Sequence, residues 1–238
     1  MTPSPHAERI YVAIDTTDLE RAVALCRPLG GIVGGIKIGK EFFVAHGPQG
    51  VAKLCAAAGL PLFLDLKFHD IPNTVAGAVR AALPLKPRIV NVHAAGGMAM
   101  MQAAATAAAE AGAERPLVLG VTVLTSLDDT DLKATGVAGS AAVQVQRLAL
   151  LARAAGLDGV VCSAHEIAQV RAACGPDFKL VVPGIRPAGS AAGDQKRVLT
   201  PTEAVALGAD ILVIGRPITA AAEPARAARA LVAELAAA

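Results

Sequence analysis

Eight short runs of apolar, largely β-branched residues recur along this chain, and that recurrence restricts its fold more than any other feature. The runs are Ile10–Asp15, Gly35–Gly39, Pro61–Lys67, Arg88–His93, Leu117–Leu124, Gly159–Ser163, Leu180–Pro183 and Ile211–Gly215. Most are apolar throughout and do not alternate. A strand reads this way when both faces are buried, as in a parallel sheet covered by helices. Between the runs lie Ala- and Leu-rich stretches that favour helix: Leu19–Pro28, Pro72–Leu83, Met98–Ala111, Ala141–Ala155 and Thr202–Leu207. Strands alternating with helices imply an α/β fold. Eight such units in 238 residues fit a closed (β/α)8 TIM barrel, a single domain over residues 1–238. An open doubly wound sheet often carries a Gly-rich turn after its first strand, whereas Asp15-Thr16-Thr17-Asp18 follows here.

Composition narrows the partners. Hydrophobic residues make up 54% of the chain but aromatics only 3%, with no Trp, so the core must be aliphatic. The 22 basic and 20 acidic residues leave a formal charge of +2, and no run of Lys or Arg occurs. That balance argues against a nucleic-acid partner. The apolar stretches are shorter than a membrane span, and Met1–Glu8 lacks the apolar centre of a secretory signal. Cys26, Cys55, Cys162 and Cys174 lie far apart with no Cys-x-x-Cys pair, which suits buried, reduced thiols and not a metal site. The expectation is a cytoplasmic protein with no nucleic-acid or membrane partner.

A barrel carries its chemistry at the C-terminal ends of its strands. The runs end on, or lead into, Asp15, Lys37, Asp65-Leu66-Lys67, His93, Thr125-Ser126, Ser163, Pro183-Gly184-Ile185-Arg186 and Gly215-Arg216. In an extended strand, residues two apart face the same way, so Asp65 and Lys67 should project together. Lys37, on the neighbouring strand, can reach the same space. Buried charges are tolerated when paired, so alternating Lys and Asp also suits a purely structural ion-pair network. A lysine between carboxylates stays protonated and acts as a proton donor, not a nucleophilic amine. Aimed at a carbon that develops negative charge, it would stabilise the carbanion and then protonate it. Adjacent carboxylates would repel an anionic substrate group and favour its departure as CO2.

Gly184, Gly189, Gly193, Gln195 and Gly215-Arg216 come from the last two strands and their loops, where barrels often bind phosphate. Arg216 can hold a phosphate with two parallel hydrogen bonds, and Pro217 suits a first helical turn. Arg186 suits a phosphate contact or a solvated loop charge equally well. Leu127–Gly139 and Arg186–Arg197 read as loops at the same end and are candidate lids. His69 suits either loop ordering or acid–base work. His93 reads as a structural histidine supporting the Asp/Lys array, and His6, His46 and His165 as surface or helix-start residues. Thr125 and Ser126 can cap the following segment or bind a substrate's polar atoms.

Several blocks together resemble the orotidine 5′-phosphate decarboxylase family. They are Ile10-Tyr-Val-Ala-Ile-Asp15, Ile36-Lys37-Ile-Gly39, Asp65-Leu-Lys-Phe-His-Asp-Ile-Pro-Asn-Thr74, Val182-Pro-Gly-Ile-Arg-Pro187, Gly193-Asp-Gln-Lys-Arg197 and Ile214-Gly-Arg-Pro217. The resemblance implies decarboxylation of orotidine 5′-phosphate to UMP without metal or organic cofactor. It implies that Lys67 protonates the C6 carbanion, with Lys37, Asp65 and Asp70 completing the charged array. Asp15 and Lys37 would hold the ribose hydroxyls, with Thr125 and Ser126 beside the pyrimidine. Pro183 would also line the substrate, and Arg186, Gln195, Gly215 and Arg216 would surround the phosphate. It further implies a homodimer in which Asp70 and Thr74 enter the neighbouring subunit's site. The barrels of 3-keto-gulonate-phosphate decarboxylase and hexulose-phosphate synthase share an Asp-x-Lys-x-x-Asp block. That resemblance implies an acidic Mg2+ ligand where this chain has Lys37. An inactive phosphate-binding barrel is a third reading, and the full Lys37/Asp65/Lys67/Asp70 set weighs against it.

Overall fold

The computed structural model describes residues 4–187 and 199–237. Its strands are β1 (Ile10–Ile14), β2 (Gly35–Gly39), β3 (Leu62–Phe68), β4 (Ile89–His93), β5 (Leu117–Val121), β6 (Gly159–Val161), β7 (Lys179–Pro183) and β8 (Ile211–Ile214). Each pairs in parallel with the next, and β8 returns to pair with β1, closing the barrel. The eight apolar runs of the sequence are therefore the eight staves. β5 and β6 stop short of the expected Leu124 and Ser163. Pairing ends at Thr122, whose hydroxyl and N–H both donate to the Val161 carbonyl, and the chain then turns over the barrel mouth.

Two apolar cores follow from the two-residue period of a strand. Inward-facing Tyr11, Ala13, Phe63, Ile89, Leu119, Val181 and Val213 fill the barrel, and the outward-facing residues form a larger core against the helices. Each large side chain removed from water there contributes about 1.5–3 kcal/mol. The tyrosine and phenylalanine rings meet edge-on at 6.5 Å. They fit because Gly35 has no side chain: a Cβ there would lie 2.4 Å from the Tyr11 ring.

The surrounding helices are α1 (Leu19–Cys26), α2 (Lys40–Ala58), α3 (Pro72–Ala82), α4 (Gly97–Ala109), α5 (Asp129–Ala134), α6 (Ala141–Ala154), α7 (Ile167–Cys174), α8 (Pro201–Ala206), α9 (Arg216–Thr219) and α10 (Pro224–Ala236). Asp18, Ser140 and Thr200 cap α1, α6 and α8 by accepting backbone N–H groups of the first turn. The stretch Leu127–Gly139, expected as an irregular loop, instead contains α5. Asp128 and Asp131 form a reciprocal capping box there, which stabilises a helix too short to persist unaided. Among the described residues, no helix is long and apolar enough to cross a membrane.

Candidate active site

The polar ends of the strands converge on a cavity of about 170 Å³ at the barrel mouth. Lys37, Asp65, Lys67, Thr125 and Pro183 line it, against an apolar wall that includes Phe63, Val121, Val161 and Val213. Asp65 is its centre. Lys67 Nζ lies 2.6 Å from Asp65 Oδ1, and Lys37 Nζ lies 3.3 Å from Oδ2. Lys37 also reaches Asp15 Oδ1 at 3.6 Å, so the four charges alternate in sign from the rim inward. The Asp15 side chain is 62% exposed, so that outer link adds little stability. The inner pairs are shielded from water and matter more. Burial pushes the Asp65 carboxyl up, but the two ammonium groups and the hydrogen bonds from Lys67 and Asn91 outweigh it and hold the carboxyl below its ordinary range.

Local backbone choices make room for this array. Gly39 closes β2 without a side chain, since a Cβ would stand 3.2 Å from Lys37 Nζ. Lys67 carries its ammonium on a left-handed backbone, φ 53°. That conformation costs a residue with a side chain on the order of 1–3 kcal/mol. The β3–β4 pairing shifts register here: Leu64 pairs with Val90 and Phe68 with Val92, so four steps of β3 span two of β4. Asp65 and Lys67 do meet, as the sequence suggested. The cause is this bulge and not the regular alternation of an extended strand.

The other expected site residues divide. Asp70 and Thr74 are exposed, outside the cavity, and the Asp70 carboxylate accepts the Ile71 N–H at 2.6 Å. Ser126 is exposed beside Thr125. Arg186 is not a solvated loop charge: it is 7% exposed and donates to the Ile185 carbonyl at 3.2 Å. Gly215 leads into α9, which starts at the exposed Arg216 with Pro217 in its first turn, as expected. Gln195, Gly189 and Gly193, and most of the candidate lid Arg186–Arg197, lie outside the described residues.

His93 packs on His69 with ring centres 5.3 Å apart. Burial, followed by the nearby His69, Lys40 and Lys67, pulls the His93 pKa down to about 4. A neutral ring suits the structural role read from the sequence. Among the described residues, no group of three or more His, Cys, Asp or Glu side chains is placed to hold a metal ion. The sequence reading missed Asn91, which is 1% exposed and donates to Asp65 Oδ1 at 2.7 Å. Its signal was available: an amide at an inward-facing position of the apolar run Ile89-Val-Asn-Val-His93.

A model of the "Orotidine 5′-phosphate decarboxylase / HUMPS family" matches residues 8–231. The chain is 59% identical over 239 residues to the orotidine 5′-phosphate decarboxylase of Rhodospirillum rubrum, covering 99% of this chain and 95% of that protein. It is 56% identical over 230 residues to the enzyme of the same name from Paramagnetospirillum magneticum, covering 95% and 97%. The crystal structure of orotidine 5′-phosphate decarboxylase from Lactobacillus acidophilus superposes with a TM-score of 0.83 at 35% identity, covering 95% of this chain and 98% of that one. The chain belongs to the orotidine 5′-phosphate decarboxylase / HUMPS family.

Proposed function

We propose that this protein decarboxylates orotidine 5′-phosphate to UMP and CO2 in pyrimidine nucleotide synthesis, with Lys67 as the proton donor. The observation that carries the reading is the Lys67 ammonium held 2.6 Å from a buried carboxylate inside a cavity whose remaining wall is largely apolar. In the proposed step the C6–carboxylate bond breaks and its electron pair stays on C6. Lys67 Nζ–H then transfers its proton to C6, and the amine recovers a proton from solvent. Fixed charges in a site partly shielded from bulk water stabilise such a carbanion more than water does. Lys37 and Asp65 hold Lys67 in place, and Asp15 with Lys37 binds the ribose hydroxyls. Thr125, Ser126 and Pro183 border the base, while Arg186, Gln195, Gly215 and Arg216 bind the phosphate.

The same reading makes the protein a cytoplasmic homodimer in which Asp70 and Thr74 complete the partner's site. Its support is the continuous exposure of residues 69–74, including Ile71 at 67%. No metal takes part in the proposed step. The position that would have to supply an acidic Mg2+ ligand in a sugar-phosphate decarboxylase is Lys37, whose ammonium is committed to Asp65 and Asp15.

The test is NMR of purified protein with orotidine 5′-phosphate in EDTA. UMP and CO2 are the expected products. Folded protein that leaves this substrate intact but turns over a 3-keto sugar phosphate with Mg2+ would overturn the reading.

A further inference from the structure

We propose that Asn91 is a positioning residue that builds the Asp65–Lys67 pair, a role that rests on the reading of Lys67 as proton donor. Its carboxamide makes two bonds at once. Asn91 Oδ1 accepts the backbone N–H of Lys67 at 2.8 Å, and Asn91 Nδ2 donates to Asp65 Oδ1 at 2.7 Å. Lys67 Nζ donates to that same Asp65 oxygen at 2.6 Å. One side chain on β4 thus fixes both the backbone that launches the lysine and the carboxylate that receives it.

The bulge explains why this is needed. Between Leu64 and Phe68, β3 leaves its regular pairing with β4. The N–H of Lys67 then takes a side-chain acceptor, and Asn91 supplies it. Lys67 sits at φ 53°, which a residue with a side chain holds only where its surroundings fix it. A primary amide presents an acceptor and a donor at fixed separation. An ionised Asp accepts but does not donate. A valine or isoleucine like the neighbours of Asn91 does neither, and would leave β3 free to relax towards regular pairing.

A merely buried polar residue would affect stability alone, whereas a positioning residue affects the chemical step. In Asn91→Leu, kcat for orotidine 5′-phosphate should fall about 100-fold, the scale of a small misplacement of a reacting group. The Kd for UMP should stay within about threefold, since the phosphate contacts are remote from β4. Its crystal structure should show Lys67 at negative φ. A wild-type kcat, or Lys67 still at positive φ on Asp65, overturns the proposal. Should Asn91→Leu not fold, Asn91→Asp keeps the size and the acceptor for Lys67 N–H but sets a carboxylate against Asp65. Its kcat should also fall about 100-fold with UMP binding retained, and a wild-type kcat overturns the proposal. Wild-type protein that does not turn over the substrate sinks the reading of the reaction, while the backbone of Lys67 in the variant crystal judges Asn91 separately.

Discussion

The Lys37 ammonium stands 3.3 Å from Asp65 Oδ2, and the two side chains are only 12% and 11% exposed. Lys37 is a main reason why the Asp65 carboxyl titrates below its ordinary value of 3.8 despite burial. Removing it in Lys37→Ala should raise the Asp65 pKa, so the acid limb of kcat/KM moves to higher pH. Lys67 and Asn91 still partner the carboxylate, so the stability loss should be about 1–3 kcal/mol. A pH–rate profile checks the shift, and an acid limb that stays in place would show that Asp65 is not the group titrating.

His93 gives stability its own pH dependence. Its pKa falls from 6.5 to about 4 on folding, so the unfolded chain binds more protons between those values. Stability therefore rises with pH across that window, and this contribution is lost as pH falls from 6.5 through 4. Denaturant unfolding from pH 4 to 7 should show a shallower slope in His93→Gln than in wild type.

Close backbone approach gives a third expectation. A Cβ on Gly159 would lie 2.1 Å from the Lys179 carbonyl oxygen, a contact with backbone that no rotamer relieves. Gly159→Ala should cost at least about 1–3 kcal/mol, and should lower Tm measurably. Gly35→Ala should behave alike, because its Cβ would meet both the Tyr11 ring at 2.4 Å and the Pro61 carbonyl oxygen at 2.6 Å.

The phosphate assignment predicts a different pattern. Arg216→Ala should weaken UMP binding and reduce kcat/KM by about 10–100-fold, the scale of a lost charge-assisted hydrogen bond. Part of the loss should appear in kcat, because remote contacts can act in the transition state. Steady-state kinetics and UMP titration measure both, and wild-type values would remove Arg216 from the phosphate site.

The barrel was legible in the sequence because strands buried on both faces leave continuous apolar runs, and their polar ends marked the mouth. Lys37, Asp65, Lys67, Thr125 and Pro183 were found this way, and they line one cavity. What a run of residue types does not carry is backbone irregularity. The left-handed Lys67 and the bulge that brings it onto Asp65 look like ordinary alternation in the sequence. Asn91 is inconspicuous in the sequence because it is an uncharged amide inside an apolar run, whereas His93 stands at the end of that run. Helix α5 was missed because Asp and Gly suggest a loop, although the Asp128/Asp131 spacing is that of a cap. Arg186 suited a surface charge and a phosphate contact equally well because residue type alone does not show burial: it is 7% exposed, and its N–H donates to the Leu199 carbonyl.

The most direct test is the ultraviolet absorbance of orotidine 5′-phosphate mixed with wild type or Lys67→Ala in EDTA, alongside UMP binding by both. Rapid loss of the orotate chromophore is expected with wild type and almost none with Lys67→Ala, with closely similar UMP binding by both. Turnover by Lys67→Ala at the wild-type rate would contradict the assignment of Lys67 as the proton donor.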